Sequence, residues 1–571
     1  MRKPLFVLLG LTLCLSPASL DAQRRPRQRR PAPQKPAPVP PPADLVIVNG
    51  KIFAPAAQPD AGTPVFAQAL AIRGDRIAAV GGSADIKKVT GPATRVIDAG
   101  GRAVIPGFND AHVHPPAYPD GVELRTGDSP TPDPTFKDVL KLVADATAKA
   151  PQGTWISGAI GPTIIDDVEA TRFGLDEVSK AHPVLLRAWT GHGTFFNTAI
   201  MKDLGLSETE PDPPGGFFTR LRKGGSDRTL SGFAHEYAEA RMDRALTEGM
   251  SDAAIVDAFR AFASEAVSFG ITSAQAIMNS HDADRVAALL RDADLPIRLR
   301  LVRFPVQDPA TWQPPASTAP PAPATALSVW GTKWILDGTP IERLAFLRQD
   351  YADRPKWRGQ PNFRDASLRA MALKALESRE QVMLHASGDG AVAQAFSVMT
   401  AAGSPLRWQS RRVRIEHGDL LAGDLVPRAK NLGVIVVQNP AHLSIRDMDA
   451  RFGPARAATV QPLRSLLEAG VPLAIGSDGP LNPGLNLMLA TLHPNNPKEA
   501  LTREQALRAY THGSAYAEFA EQEKGTIAPN MLADIAILSQ DIFTAPPDSL
   551  AATTAVVTIV GGKVVFESKE M

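Results

Sequence analysis

The sequence predicts an α/β chain: a (β/α)8 TIM-like barrel carrying a small β-sandwich composed of N- and C-terminal segments. Three observations predict it. The middle of the chain alternates helical periodicity with short β runs, the pattern of parallel barrels. Both ends are built instead of short β runs parted by glycine turns. Metal-binding residue types close the apolar runs of the middle, at the strand ends where barrel chemistry is placed.

The N-terminus is taken first. Met1-Arg2-Lys3, an apolar run from Leu5 to about Leu15 and the small residues up to Ala22 read as a signal peptide over 1–22. The apolar run is too short for a comfortable membrane span. Cys14, the single cysteine, lies inside that segment, so cleavage would leave a chain without disulfides. The expected location is periplasmic or secreted. Residues 23–43 are rich in Arg and Pro, as in Arg24-Arg25-Pro26-Arg27 and Pro40-Pro41-Pro42, and read as a disordered linker.

The N-terminal part of the sandwich is expected over 44–105. Leu45-Val46-Ile47-Val48 leads to Asn49-Gly50, a hairpin turn signal. Further runs flank Arg73-Gly74-Asp75 and end at Asp98. The C-terminal part is expected over 523–571. It holds Asp534–Leu538, Ala555–Val560 and Lys563–Phe566, the last two joined by Gly561-Gly562.

The barrel is expected over 106–522. Ala253–Phe269 and Leu368–Ser378 have amphipathic spacing and each precedes a β run. Leu463–Ala469 is a further helix, before the run Pro472–Ile475. Val434–Val437 is another strand. Two insertions interrupt the alternation: residues 115–250, and the Pro- and Ala-rich segment 307–326, read as loop.

The balance of 61 Lys and Arg against 60 Asp and Glu leaves a net charge of +1. That argues against nucleic acid or an anionic membrane surface as the main partner. The expected partner is a small-molecule substrate, with no membrane contact beyond export. A homo-oligomer is compatible with the sequence.

The chemistry gathers at strand ends. Residues i and i+2 of a strand share a face, so His112 and His114 can aim two imidazoles at one point. The run Val382-Met383-Leu384 ends in His385, Val413–Glu416 ends in His417, and Leu473–Ser477 ends in Asp478. Lys333 interrupts the run around Trp330 and Trp334. One histidine at a strand end is more often a hydrogen-bonded structural residue. Four with an aspartate in one barrel indicate a metal site. Imidazole and carboxylate suit divalent zinc, iron or manganese, and the absence of further cysteine excludes thiolate sites. A divalent ion lowers the pKa of bound water to roughly 7. A nearby carboxylate can then move a proton to a leaving amine. Asp478 is the candidate catalytic residue; a purely structural ligand is its alternative.

These residues carry a resemblance. Pro106-Gly107-Phe108 through His114, His385 with its following Ala386-Ser387-Gly388-Asp389-Gly390, Arg414-Ile415-Glu416-His417, and Gly476-Ser477-Asp478-Gly479-Pro480 resemble the amidohydrolase superfamily. More narrowly the chain resembles amidohydrolase family 3, the branch containing N-substituted formamide deformylases. Leu501–Thr511, Glu523–Ile527, Asp212–Gly216 and Gly191-His192 with Asn197 are similar to that branch. The resemblance extends from Asp44 to Phe566. It implies a metal set of His112, His114, His385, His417 and Asp478, with Lys333 carboxylated and bridging if two ions are held; an ordinary lysine salt-bridged inside the barrel is the alternative for Lys333. Zinc is the expected ion, one or two per chain.

The resemblance also implies that His192 lines the substrate pocket through the inserted region; surface exposure, as for any loop histidine, is its alternative. Two departures bear on substrate. Thr339–Leu344 replaces a small, polar family loop. Gln438-Asn439-Pro440-Ala441-His442 is longer than the family's, and His442 could contact substrate or cap the strand. His182, His235, His281, His493 and His512 have no motif context and are read as structural or exposed.

The expected activity is hydrolysis of a non-peptide C–N bond, amide or N-formyl in type, by metal-activated water. Deamination of an amidine or hydrolysis of a lactone or ester would use the same site. A non-catalytic binding protein on this scaffold would have lost ligands, and the sequence retains them all.

Overall fold

A computed structural model describes residues 41–54, 66–115, 120–127, 131–179, 181–221, 228–316, 320–446 and 448–569. The expected signal peptide and nearly all of the linker lie outside the described residues. No helix of the described residues is long and apolar enough to cross a membrane.

Eight parallel strands form the barrel, in sheet order equal to chain order. They are β1 (Phe108–Val113), β2 (Ile271–Ile277), β3 (Arg298–Arg303), β4 (Leu327–Ile335), β5 (Val382–Ala386), β6 (Arg414–His417), β7 (Ile435–Gln438) and β8 (Leu473–Ile475). Such strands are covered on both faces, which is why they read as unbroken apolar runs. Helices Asp252–Ser268, Ala283–Leu290, Asp365–Ser378, Asp389–Ala402, Leu425–Leu432 and Leu463–Ala469 pack around them. The first of these starts at the N-cap Ser251, whose side chain accepts from Ala254 N. Its stripe of Ile255, Phe259, Phe262, Ala263 and Ala266 is buried at helical spacing. Helix Asp365–Ser378 begins before the expected Leu368 because its first turn is polar and invisible to hydrophobic periodicity. Between β3 and β4 the described residues of the Pro- and Ala-rich segment hold neither helix nor strand.

The sandwich draws strands from both ends of the chain. One sheet orders Arg76–Gly81, Ala69–Arg73, Leu45–Val48 and Arg95–Asp98. The other orders Lys563–Glu567, Ala555–Val560, Ile535–Leu538, Ala103–Pro106, Lys51–Phe53 and Phe66–Ala67. Leu45, Ile47, Leu70 and Ile72 pack with Ile535, Ile537, Val557 and Ile559 in a common core. Asn49-Gly50 departs from the hairpin expected there. Leu45–Val48 and Lys51–Phe53 lie in different sheets, so the turn is a crossover between layers. Asn49 takes φ 53°, and a Cβ on Gly50 would lie 2.9 Å from Val104 Cγ2. The turn chemistry was legible, but the pairing it serves is set by packing.

The first insertion folds a sheet of its own, ordered Gly216–Arg220, Leu230–Glu236, Gly193–Phe196, Val184–Ala188, Trp155–Ile160 and Gly121–Leu124.

Strands β1 and β8 close the barrel through backbone and one carboxylate. Asp478 N donates to His112 O at 2.9 Å. Asp110 Oδ1 accepts from His112 N at 3.1 Å and from Ser477 N at 2.9 Å. Tyr510 Oη donates to Asp110 Oδ2 at 3.0 Å. Gly476 makes this approach possible: a Cβ there would lie 2.5 Å from His112 Cβ and 2.8 Å from its Cα. The neighbours are the strand itself, which cannot swing aside. Gly476→Ala is therefore expected to destabilise the protein by about 1–3 kcal/mol, the usual cost of overpacking. Denaturant unfolding of the variant against the parent measures it.

Candidate metal centre

The C-terminal ends of the barrel strands bring the expected ligands together. His112 lies in β1 and His114 one residue past it. His385 lies in β5, level with Ile335 of β4 and Glu416 of β6. His417 ends β6, and Asp478 follows β8 after Gly476-Ser477. Both His417 (φ 66°) and Asp478 (φ 47°) take left-handed backbone. For residues with a Cβ this costs of order 1–3 kcal/mol, and such strain gathers at functional sites.

One nitrogen of His112, one of His417 and one oxygen of Asp478 all lie within 4.8 Å of one another. His114 joins them, its Nε2 3.3 Å from His112 Nε2 and 3.4 Å from Asp478 Oδ1. Lys333 Nζ is 2.9 Å from His112 Nε2. The His385 ring packs edge-on against His417, centroids 4.4 Å apart.

The hydrogen bonds behind the rings set their tautomers. His112 Nδ1–H donates to Glu416 Oε2 at 2.6 Å, and His114 Nδ1–H to Asn279 Oδ1 at 2.9 Å. Each Nε2 is thereby left as a lone pair facing Asp478. Glu416 is itself held by Arg414, whose Nε and Nη2 reach Oε1 at 2.6 Å and Oε2 at 2.9 Å. Arg414 Nη2 also donates to Ala111 O at 2.6 Å. This is the carboxylate–histidine arrangement that orients metal ligands.

The electrostatics favour the same protonation states. Burial, with Lys333, holds the His112 imidazole well below the ordinary histidine range and lowers His114 to about 4. Burial and the neighbouring histidines do the same to His385 and His417. Burial acts to raise the Asp478 carboxyl, but the basic groups around it, His112 first, outweigh that and hold it down to about 2. Burial lowers Lys333 to about 8 against the pull of Asp478 and Glu416. Neutral imidazole and ionised carboxylate are the forms a divalent cation binds.

His385 tests whether a metal fits. Its ring is buried, 2% exposed, and neither nitrogen has a hydrogen-bond partner among the described residues. The nearest carboxylate oxygen, Asp337 Oδ1, stands 3.7 Å from Nε2 and is already taken by the N–H of Ser387. Two unsatisfied buried nitrogens cost about 1–3 kcal/mol each, and a metal ion would satisfy one. The donor set therefore fits a divalent ion.

The two substrate candidates stand on either side. His442 lies in the turn Pro440–Ser444 and its Nε2 is 3.6 Å from Asp478 Oδ2. Its ring stacks on His417 at 5.8 Å, so it faces the centre and not the end of β7. His192 of the insertion is buried, its ring 4.7 Å from His385. The loop Thr339–Leu344 meets the insertion here, where Thr190 and Thr339 both donate to Glu342. Of the histidines read as structural or exposed, His182, His235 and His493 are buried and hydrogen-bonded to backbone carbonyls.

Sequence reasoning did not single out Glu416, Arg414, Asn279 or Asp337. For the first two a signal existed, since charged residues two apart in a buried strand share a face and need partners. Asn279 offers none, because its partner lies far away in sequence. Asp337 accepts backbone N–H bonds from Phe346, Ser387 and Gly388 at 2.8, 3.0 and 2.9 Å, tying the entry of helix Asp389–Ala402 to β4.

Comparison with known proteins adds four findings. A family model described as amidohydrolase family matches residues 95–566. Protein LONG AFTER FAR-RED 3 of Arabidopsis thaliana is 28% identical, covering 92% of this chain and 92% of that protein. An N-substituted formamide deformylase of Arthrobacter pascens is 26% identical over 92% of this chain and 98% of that one. Among solved structures, an uncharacterized metal-dependent hydrolase from Pyrococcus horikoshii OT3 shares the fold. Its TM-score is 0.64 at 20% identity, covering 88% of this chain and 99% of that one.

Glu416→Gln keeps the shape of the side chain but removes the charge that holds His112. It is expected to weaken divalent-metal binding by about 10- to 100-fold, read by calorimetric titration of metal-free protein.

Proposed function

We propose that this chain, which belongs to the amidohydrolase family, hydrolyses a non-peptide C–N bond in a small molecule, an amide or N-formyl group. It is a metal-dependent hydrolase by family. The finer reading rests on one observation above all: the convergence of His112, His417 and Asp478 within 4.8 Å at the mouth of the barrel. The likeness to a formamide deformylase supports the bond type.

We assign the ligands as His112, His114, His385, His417 and Asp478, with zinc as the ion. A bound divalent ion would polarise the carbonyl and acidify the attacking water. The remaining work falls to side chains. Glu416 and Asn279 keep the Nε2 lone pairs of His112 and His114 turned inward. Asp478 has the position to take a proton from water and return it to the leaving amine. Its side chain is 18% exposed, so it faces the mouth as well as the histidines. His442, 26% exposed beside it, is placed to meet substrate. Lys333 as a free amine presents its nitrogen to the same His112 lone pair that an ion would use. Carboxylation of Lys333 would turn that competitor into an oxygen ligand, and the buried amine, lowered to about 8, supports it. The N-terminal segment supports export to a periplasmic or secreted location.

Purified protein assayed on N-formyl amines, cyclic amidines and lactones tests the bond type. Turnover of N-formyl amines is expected; turnover confined to amidines or lactones would replace the C–N reading by deamination or ester hydrolysis. Chelation should abolish turnover and zinc restore it. Asp478→Asn should lower kcat by about 10²- to 10⁴-fold while the barrel stays folded by circular dichroism. Near-normal kcat in that variant would remove Asp478 from the proton path.

A further inference from the structure

The insertion sheet sends two buried side chains toward the metal centre. His192 directly precedes Gly193–Phe196, and Glu236 ends Leu230–Glu236. These strands pair antiparallel with Gly193 opposite His235, which sets His192 and Glu236 side by side. His192 Nδ1–H donates to Glu236 Oε1 at 3.0 Å. Asn362 Nδ2 donates to the other oxygen at 3.1 Å. Glu236 and His192 are 3% and 8% exposed.

Two backbone features serve this one carboxylate. Glu236 holds φ 57° and ψ −124°, a conformation that costs a residue with a Cβ of order 1–3 kcal/mol. Gly338, just past β4, lies against it: a Cβ there would stand 2.5 Å from Glu236 Oε1. A structural explanation would be helix capping, since Glu236 precedes helix Tyr237–Glu248. Its side chain makes no cap hydrogen bond and turns to His192 instead.

His192 reaches the chemistry. Its ring centroid is 4.7 Å from that of His385. The Nδ1 proton is committed to Glu236, and no hydrogen-bond partner for Nε2 is found among the described residues. Nε2 is therefore the atom available to a substrate.

We infer that His192 is a catalytic residue that hydrogen-bonds the reacting group of the substrate through Nε2, and that Glu236 is the positioning residue that aims it. The inference rests on the hydrolytic reading above, but not on which bond is broken. The barrel supplies the metal ligands, and the insertion supplies the dyad that meets the substrate. A carboxylate-held imidazole is a rigid, directional partner, so the geometry of the insertion sheet sets how substrates lie against the ion.

The zinc-loaded full chain carrying His192→Gln, Glu236→Gln or both tests this on the best substrate of the panel. His192→Gln should lower kcat by about 10²- to 10³-fold, as loss of a transition-state hydrogen bond does, with zinc content unchanged. Glu236→Gln should lower kcat by about tenfold. The double variant should be no worse than His192→Gln alone, because residues acting as a unit are non-additive. Retention of kcat within threefold in His192→Gln overturns the inference. So does loss of zinc from it, or losses that multiply in the double variant. His192→Asn replaces His192→Gln if the latter fails to fold. Activity on lactones alone would defeat the C–N reading while leaving the dyad to be scored on lactones. If nothing in the panel turns over, acetohydroxamate binding is compared by calorimetry. At least tenfold weaker binding to His192→Gln is expected; equal affinity, or no binding to either protein, overturns the inference.

Discussion

The buried carboxylate of Asp110 joins the first and last strands of the barrel, and the site depends on that joint. It accepts two backbone N–H groups, one from His112 and one from Ser477, and the Tyr510 hydroxyl. The two backbones flank the candidate ligands His112 and Asp478, so one carboxylate fixes both main chains at once. Buried N–H groups left without such a partner would carry a full desolvation penalty. The seam is thus tight where it has to be accurate, and Gly476 removes the one Cβ that would hold it open.

Around that seam, the same low polarity does two jobs. It keeps the imidazoles unprotonated, and it makes every fixed charge felt across the site. Arg414 and Glu416, both fully buried, neutralise each other, and Glu416 Oε2 accepts from Arg414 Nη2 and His112 Nδ1 together. A pair of this kind adds little to stability by itself. Its value here is orientation: rotating the imidazole would break a short charge-assisted bond between two side chains closed off from solvent.

The candidate ligands are legible in sequence because barrel topology converts a spatial rule into a sequence rule. Metal ligands lie at strand ends, and a strand end is visible as the close of an apolar run. His112, His385, His417 and Asp478 all announce themselves this way, and Lys333 does so as a break in one. The partners behind them carry no such mark. Asn279 and Glu236 are defined by what stands opposite them in space, and single-sequence periodicity does not report that. The Asn49-Gly50 turn teaches the same lesson in the sandwich. Its residues ask for left-handed backbone, and Asn49 has it, but the strands it joins belong to different layers. The helix Asp365–Ser378 extends beyond its periodic stretch because its first turn is polar. Local chemistry was readable throughout; pairing was readable only where topology is regular.

Asp110 and Ser477, the two residues bonded across the seam, are 367 positions apart. A ribosome making this chain releases the His112–His114 pair early and the aspartate only near the end. Only the completed barrel adds the carboxylate and the later imidazoles in fixed positions. The candidate metal centre is therefore assembled only once the last barrel strand has docked against the first.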